Sequence, residues 1–275
     1  MDGSYWGQYL SASVGRRKVM IAGSLAVTGA ALFTACGRET NHTRRTGSSG
    51  LVTQPEDTSN QAKPGGVFKD RHDDVIQTFD PFFTSKPSQV PTNMAYQRLL
   101  TTRPGYLQPA GLDLDADLAE SWELSPDKLT LTLKLRTNDH WSPLAPTRGR
   151  QVDAEDVVFS SERAEAQGTS RANFYNSVNS DAPLISAKVL DARTVQFKLS
   201  RPFAGILSLL AWNLPGALHI VPREADGQFD LRSGQRGSGR WYLAEYEPSI
   251  GMVYKRNSGY HDQEKPYLDT IEMRL

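Results

Sequence analysis

The sequence predicts a mixed α/β (α+β) fold, because stretches with the period of a half-buried strand occur beside a stretch with the period of an amphipathic helix. In residues 129–135, LTLTLKL, leucines alternate strictly with threonine and lysine. Residues 194–199 and 271–275 alternate in the same way. Such alternation is typical of a strand with one buried face. From residue 153 onward, small and apolar residues instead fall on one side of a helix.

The predicted helix has its own start signal. Asp153 is the expected N-cap, and Asp156 at the third helical position faces N–H groups that have no partner inside the helix. Val157 and Ala164 are expected on its buried side. A second, apolar helix is predicted for residues 203–212.

Composition indicates an ordinary globular protein and excludes several classes. The 275 residues are 38% hydrophobic and 23% charged, and the 31 Lys and Arg balance the 31 Asp and Glu. A nucleic-acid-binding surface needs clustered basic charge, so no nucleic-acid partner is expected. The single cysteine, Cys36, excludes a disulfide framework within the chain and a thiolate metal cluster.

Catalytic patterns are absent from the sequence. No two of the five histidines have the i, i+4 spacing of a helical zinc site. Neither a nucleophile elbow nor a phosphate-binding loop occurs. The carboxylates around residue 155 are better explained by helix capping than by acid–base chemistry. We therefore expect no enzyme, no cofactor and no metal site.

The first 36 residues have the features of a bacterial lipoprotein signal peptide. The basic run RRK at 16–18 precedes a charge-free, apolar run at 19–37. This run contains LFTAC, which resembles a lipobox, and the thiol of Cys36 is the expected site of lipidation. An uncleaved transmembrane anchor is the alternative, since the run is near the ~20 residues that a span needs. Both readings place the protein outside the cytoplasm and tether it to the cell membrane, and both leave the Sec and twin-arginine export routes open.

Residues 37–63 are rich in Thr, Ser, Gly, Gln and Asn and have almost no large apolar residues. Such a segment cannot bury a core, so we predict a disordered tether.

Several motifs in order resemble one family. DLAESWELSPDKLTLTLKLRTNDHWS at 117–142 and DAEDVVFSSER at 153–163 resemble the extracytoplasmic solute-binding proteins of family 5, which serve ABC importers for dipeptides, oligopeptides and nickel. The family's opening Gly-Gly is matched at 65–66, and its GTGPYKL motif is matched by GSGRWYL at 237–243. In this second motif Arg240 and Trp241 replace Pro and Tyr. The resemblance covers residues 64–275.

The resemblance implies a periplasmic-binding-protein-like lobe with an extra domain, and a second ligand lobe that is absent from this chain. Residues 64–103 and 201–275 would form two parts of the first lobe, and residues 104–200 the extra α/β domain. Two lobes of this class close on a peptide or similar small solute and present it to permease subunits. A sensor or interaction lipoprotein on the same fold is an alternative, and a lipid-anchored hydrolase is a third hypothesis.

The resemblance also suggests which side chains of the first lobe face a ligand cleft. The candidates are Phe82, Phe83, Thr84, Tyr96, Trp212, Asn213, Trp241 and Tyr242.

Overall fold

The computed structural model describes residues 56–72, 75–83, 86–103, 105, 107, 111, 113–213 and 215–275, without the side chains of Lys86 and Pro87. The predicted signal peptide, Cys36 and most of the predicted tether lie outside the described residues. The last part of that tether, residues 56–63, is described and contains a 3-10 helix at Ser59–Gln61.

The strands of the described residues are β1 (Val67–Arg71), β2 (Leu100–Thr102), β3 (Leu114–Ala116), β4 (Ala119–Leu124), β5 (Thr130–Leu135), β6 (Leu184–Asp191), β7 (Thr194–Leu199), β8 (Trp241–Glu247), β9 (Gly251–Arg256) and β10 (Thr270–Arg274). The helices are α1 (Lys86–Ala95), α2 (Ala154–Gln167), α3 (Arg171–Phe174) and α4 (Ile206–Leu210), with a further 3-10 helix at Arg223–Ala225. The mixed α/β class predicted from the sequence is confirmed.

One four-stranded sheet joins the start of the fold to its end. Its order is β1-β10-β9-β8. The β8–β9 and β9–β10 pairs are antiparallel, while β1 pairs with β10 in parallel. Strand β1 lies at the edge of the sheet, and it leaves Val67 and Phe68 about half exposed, at 51% and 49%.

The second four-stranded sheet is antiparallel, with the order β4-β5-β7-β6. Leu131 and Leu133 of β5 have no exposed surface, and they pair in register with Phe197 and Val195 of β7. The alternation of leucine and polar residues therefore predicted the buried face correctly. Strand β5 begins at Thr130, one residue after the start of the predicted stretch.

Replacing Leu131 or Leu133 with Ala should lower the free energy of unfolding by about 2–5 kcal/mol, because each change leaves a cavity in a close-packed core. Thr132→Ala, on the opposite face of the same strand, should cost less than about 1 kcal/mol. Urea denaturation followed by circular dichroism measures all three variants. Equal losses for Leu133→Ala and Thr132→Ala would contradict the assigned face.

Helix α2 begins as the sequence predicts. The Asp153 side chain accepts a hydrogen bond from the Asp156 backbone N–H, and the Asp156 side chain accepts one from the Asp153 N–H, which completes a capping box. Helix α4 is shorter than predicted, with five residues in place of 203–212. The Phe203 ring folds back over Gly205, 3.1 Å from the position that a Cβ would take, and the helix starts only after this turn.

An ion-pair cluster that we call the α2 clamp (Trp141, Arg150, Asp156, Arg223 and Glu224) fixes the start of α2. Asp156 is fully buried and accepts hydrogen bonds from Arg150 Nη1 and Nη2 at 2.8 and 2.6 Å. It also accepts bonds from Trp141 Nε1 at 3.0 Å and from the Arg223 backbone N–H at 3.1 Å. Arg150 in turn binds both oxygens of Glu224 at 2.5 Å. The cluster thereby ties α2 to the loop before it and to the 3-10 helix at Arg223–Ala225.

Two glycines before β8 pass against the end of α1. A Cβ on Gly237 would lie 1.7 Å from the carbonyl oxygen of Ala95, and one on Gly239 would lie 2.7 Å from that of Met94. The Gly239 N–H donates to the Ala95 carbonyl oxygen at 2.8 Å. The Gly-Ser-Gly motif is therefore required by the close approach of two backbones.

No helix in the part of the chain that the structure describes is long and apolar enough to cross a bilayer.

Candidate functional site

The predicted ligand-binding residues separate into two groups in the structure. The first lies around the N-terminal half of α1 and the loop after α4, and includes Phe83, Trp212 and Asn213. The second lies around the C-terminal end of α1 and the start of β8, and includes Tyr96 and Trp241. Thr84 lies outside the described residues.

Phe82 and Phe83 have different environments although they are adjacent. Phe82 is fully buried, and the guanidinium carbon of Arg163 lies 5.9 Å from its ring centroid. Arg163 also forms an ion pair with Asp80 at 2.8 Å. Phe82 is therefore a core residue in this structure, whereas Phe83 is 38% exposed.

A turn after α2 holds the first group together. The backbone N–H and the hydroxyl of Thr169 both donate to the Phe82 carbonyl oxygen, at 3.0 and 3.1 Å. The Ser170 hydroxyl donates to the Pro215 carbonyl oxygen at 3.1 Å. The turn thereby joins the loop before α1 to the loop after α4.

Helix α1 fixes the same loop from the other side. The Gln89 side-chain amide donates to the Asn213 carbonyl oxygen, and Asn93 Nδ2 lies 3.5 Å from that oxygen. The Trp212 ring stacks on Phe174 with centroids 5.9 Å apart and remains partly exposed. The resulting patch of accessible groups consists of Phe83, Gln89, Thr169, Ser170, Trp212 and Asn213. We call it the ligand surface, after the predicted ligand-binding residues that it contains.

The second group lines a cavity of about 370 Å³. Tyr96 is 2% exposed, its hydroxyl accepts a hydrogen bond from the Arg236 backbone N–H at 3.3 Å, and burial raises its pKa. Trp241 is 8% exposed and begins β8. Tyr242 is the next residue on the strand, so its side chain points to the opposite face.

Two arginines also line this cavity, which we call the two-arginine cavity. Arg98 is 8% exposed and donates hydrogen bonds to Asn93 Oδ1 at 3.0 Å and Thr101 Oγ1 at 3.2 Å. Arg240 is exposed, and its guanidinium carbon lies 5.5 Å from the Tyr260 ring centroid. Sequence reasoning missed both as site residues, because an arginine is normally a surface residue.

His219 lies behind Arg98 and is fully enclosed. It is 1% exposed, and its Nε2 lies 3.1 Å from Asn93 Oδ1, the oxygen that Arg98 also contacts. Burial, and then the positive charge of Arg98, lower the pKa of His219 from 6.5 to about 3. The imidazole of His219 is therefore neutral near pH 7.

This low pKa predicts a loss of stability in acid. Between pH 6.5 and about 3 the unfolded chain binds a proton at His219 and the native chain does not, so stability falls by about 1.4 kcal/mol per pH unit. From pH 7.5 to 5.0, the wild type should lose about 2 kcal/mol more than His219→Gln, as measured by urea unfolding. Equal losses of stability in the wild type and in His219→Gln would show that native His219 binds a proton as readily as it does in the unfolded chain.

Among the described residues, no group of three or more His, Cys, Asp or Glu side chains could hold a metal ion.

Comparison with solved structures defines the class of protein. The fold matches a periplasmic binding protein of Helicobacter pylori, DppA, in complex with the peptide STSA, with a TM-score of 0.66 and 24% identity over 79% of this chain and 44% of that one. It also matches the binding protein MoaA of A. tumefaciens R10 in complex with mannopinic acid, with a TM-score of 0.63 and 28% identity over 78% of this chain and 41% of that one. The described fold is therefore a lobe of a periplasmic-binding-protein-like protein.

The family follows from the sequence comparisons. Residues 113–275, more than half of the chain, match the bacterial extracellular solute-binding proteins, family 5 (middle), and the chain belongs to this family. The dipeptide-binding protein of Escherichia coli K12 is 33% identical over 175 residues, which are 56% of this chain and 31% of that protein. The probable D,D-dipeptide-binding periplasmic protein DdpA of the same strain is 30% identical over 72% of this chain. The chain spans 31% and 37% of the lengths of these two relatives.

Proposed function

We propose that this protein is a solute-binding lipoprotein of an ABC importer, which captures peptides or similar small solutes outside the membrane and delivers them to permease subunits. Membership of family 5 is the observation that carries the proposal. The relatives named for dipeptides and the similar structure in complex with a peptide support peptides as the solute class. No chemical step is part of the proposal.

The ligand surface is the proposed contact region for the solute. It offers the partly exposed ring of Trp212 and the amide of Gln89 on a backbone that hydrogen bonds fix from both sides. Aromatic faces with a few fixed polar groups are typical of ligand sites. Because such sites bury most of the solute, we propose that these residues form one wall of the site and that a second lobe forms the other.

A titration of the full 275-residue chain with a panel of di- and tripeptides tests this assignment. The ligand surface without a second wall should bind a peptide with a Kd above ~1 mM, which is a binding free energy of only ~4 kcal/mol. In nuclear magnetic resonance spectra the indole N–H of Trp212 should shift with peptide concentration. Trp212→Leu should abolish the peptide-dependent shift of the Gln89 side-chain amide, while Trp122→Leu in the second sheet should leave the shifts of Gln89 and Trp212 unchanged.

Two outcomes of this titration would contradict the assignment. Micromolar binding by this chain would show that it contains a complete site, and shifts that avoid Trp212 would place the solute elsewhere. The transport part of the proposal has a separate test in the gene neighbourhood, which should encode two permeases and two ATPases.

The lipid anchor is proposed from the lipobox-like LFTAC sequence alone. Cells fed a clickable fatty acid should label the wild-type protein on Cys36 after residues 1–35 are removed. Cys36→Ser should remain unlabelled, because no other cysteine is present. Equal labelling of the two proteins, or labelling of neither, would exclude the lipoprotein assignment.

A further inference from the structure

Arg98 is a buried cation whose hydrogen-bonding capacity is only partly used. Its side chain lies in a wall of the two-arginine cavity and is 92% buried. Of the five N–H groups of a guanidinium, one contacts Asn93 and one contacts Thr101. The Nε–H group is buried without a partner. Within the described residues no carboxylate lies at ion-pair distance from Arg98, and such an arrangement is costly unless an anion completes it.

Arg240 brings a second positive charge to the same cavity. Burial lowers the pKa of Arg98, the nearby Asp117 opposes this effect, and the charge of Arg240 lowers the pKa further. Both arginines line the same cavity, so their positive charges repel one another. Arg240 rests on the Tyr260 ring, and no carboxylate among the described residues forms an ion pair with it.

The carboxylates that also line the cavity are already engaged. Asp115 Oδ1 accepts hydrogen bonds from Arg103 Nη2 at 2.9 Å and from Arg103 Nε at 3.1 Å. Asp117 accepts hydrogen bonds from the Gln97 side chain at 3.1 Å and from the Arg98 backbone N–H at 3.0 Å.

Two further polar residues of the lining, Asp262 and His261, are similarly held. Asp262 accepts a hydrogen bond from the Glu264 backbone N–H at 3.1 Å. His261 Nδ1 lies 3.0 Å from the buried carboxylate of Asp139. The arginines thus keep free donors, whereas the carboxylates of the walls have protein partners and Gln97 Oε1 is a buried acceptor without one.

We propose that the two-arginine cavity binds a small organic carboxylate, which is held between the guanidinium groups of Arg98 and Arg240. Guanidinium groups pair with carboxylates through two parallel hydrogen bonds, and Arg98 Nη1 and Nη2 each keep one N–H beyond those that Asn93 and Thr101 accept. The volume of about 370 Å³ is at the small end of ligand pockets, and the rings of Trp241 and Tyr260 offer apolar contact to a carbon skeleton. The site goes beyond the proposed function, since it does not involve the ligand surface or a permease.

The test uses the full 275-residue chain and the arginine Nε–H resonances in nuclear magnetic resonance spectra. Titration with propionate should shift the Arg98 Nε–H signal to saturation. Propionamide, which has the same shape without the charge, should leave the signal in place at matched ionic strength. An equal response to propionamide, or no saturable response to propionate, would overturn the proposal. Binding of inorganic phosphate more tightly than propionate would overturn the assignment to a carboxylate.

A matched pair of variants locates the site. Arg240→Gln should weaken propionate binding by about tenfold or more, because one charge-assisted contact is lost. Arg240 is exposed, so this change should leave the fold intact. Arg232→Gln removes the same charge from an exposed residue outside the cavity lining and should bind propionate as the wild type does. Unchanged binding by Arg240→Gln, or equal weakening by both variants, would show that the cavity is not the site.

Discussion

Gly237→Ala is expected to destabilise the protein by more than about 4 kcal/mol, or to prevent folding, which places it in the exceptional class of single substitutions. The added Cβ would lie 1.7 Å from the Ala95 carbonyl oxygen and 2.4 Å from its carbonyl carbon. Both are backbone atoms at the end of α1. The neighbours cannot move aside as a flexible side chain would, because the interior is close-packed and transmits the displacement.

The adjacent serine provides the control for this prediction. Ser238 is fully buried, and its hydroxyl has no hydrogen-bond partner among the described residues. Ser238→Ala removes an unsatisfied polar group and should be neutral or slightly stabilising. Urea denaturation of the two variants decides the matter. A Gly237→Ala protein within about 1 kcal/mol of the wild type would show that the two backbones can separate at little cost.

Asp156→Asn should lower the free energy of unfolding by about 3–5 kcal/mol, because it removes the anion from a buried ion pair and leaves Arg150 only partly compensated. Asp156 receives two hydrogen bonds from Arg150, one from Trp141 and one from the Arg223 backbone. An amide reproduces the shape of the carboxylate without its charge.

The preceding residue of α2 is the matched control for Asp156. The side chain of Glu155 is 65% exposed, and Glu155→Gln should change stability by less than about 0.5 kcal/mol. The double variant Asp156→Asn with Arg150→Met should lose less than the sum of the two single losses, because each single change breaks the same ion pair. Arg150→Met also removes the ion-pair partner of Glu224, so a full recovery is not expected. If the two single losses add in the double variant, Asp156 and Arg150 do not act as a pair.

The elements that the sequence predicted well are those with a local signal. Strand β7 and the buried face of β5 follow from alternation alone, and Asp153 and Asp156 form the capping box that their spacing indicates. The start of α4 was wrong because the apolar run at 203–212 carries no sign that the Phe203 ring folds over Gly205. Periodicity reports burial, but it does not report the backbone turn at 203–206, in which the Ile206 N–H donates to the Phe203 carbonyl oxygen.

The candidate site was predicted only in part because its contacts are remote in sequence. Thr169 binds a carbonyl 87 residues away, and Gln89 binds one 124 residues away. Neither residue has a local pattern that marks it. Phe82 was predicted to face a cleft but packs against Arg163 in the core. The sequence does not distinguish these two environments for an aromatic residue in a loop. The unused N–H groups of Arg98 could not be predicted either, because they depend on the distant segments that enclose its side chain.

The pairing of β1 with β10 sets the order in which the protein can fold during synthesis. About 200 residues separate the two strands, so at about 5–20 residues per second β1 leaves the ribosome roughly 10–40 s before its partner exists. In that interval the whole second sheet and α2 can form, because their partners lie within the segment already made. Strand β1, the first of the described strands to be made, is then the last to be incorporated, and its apolar residues Val67 and Phe68 stay available to other strands until β10 emerges.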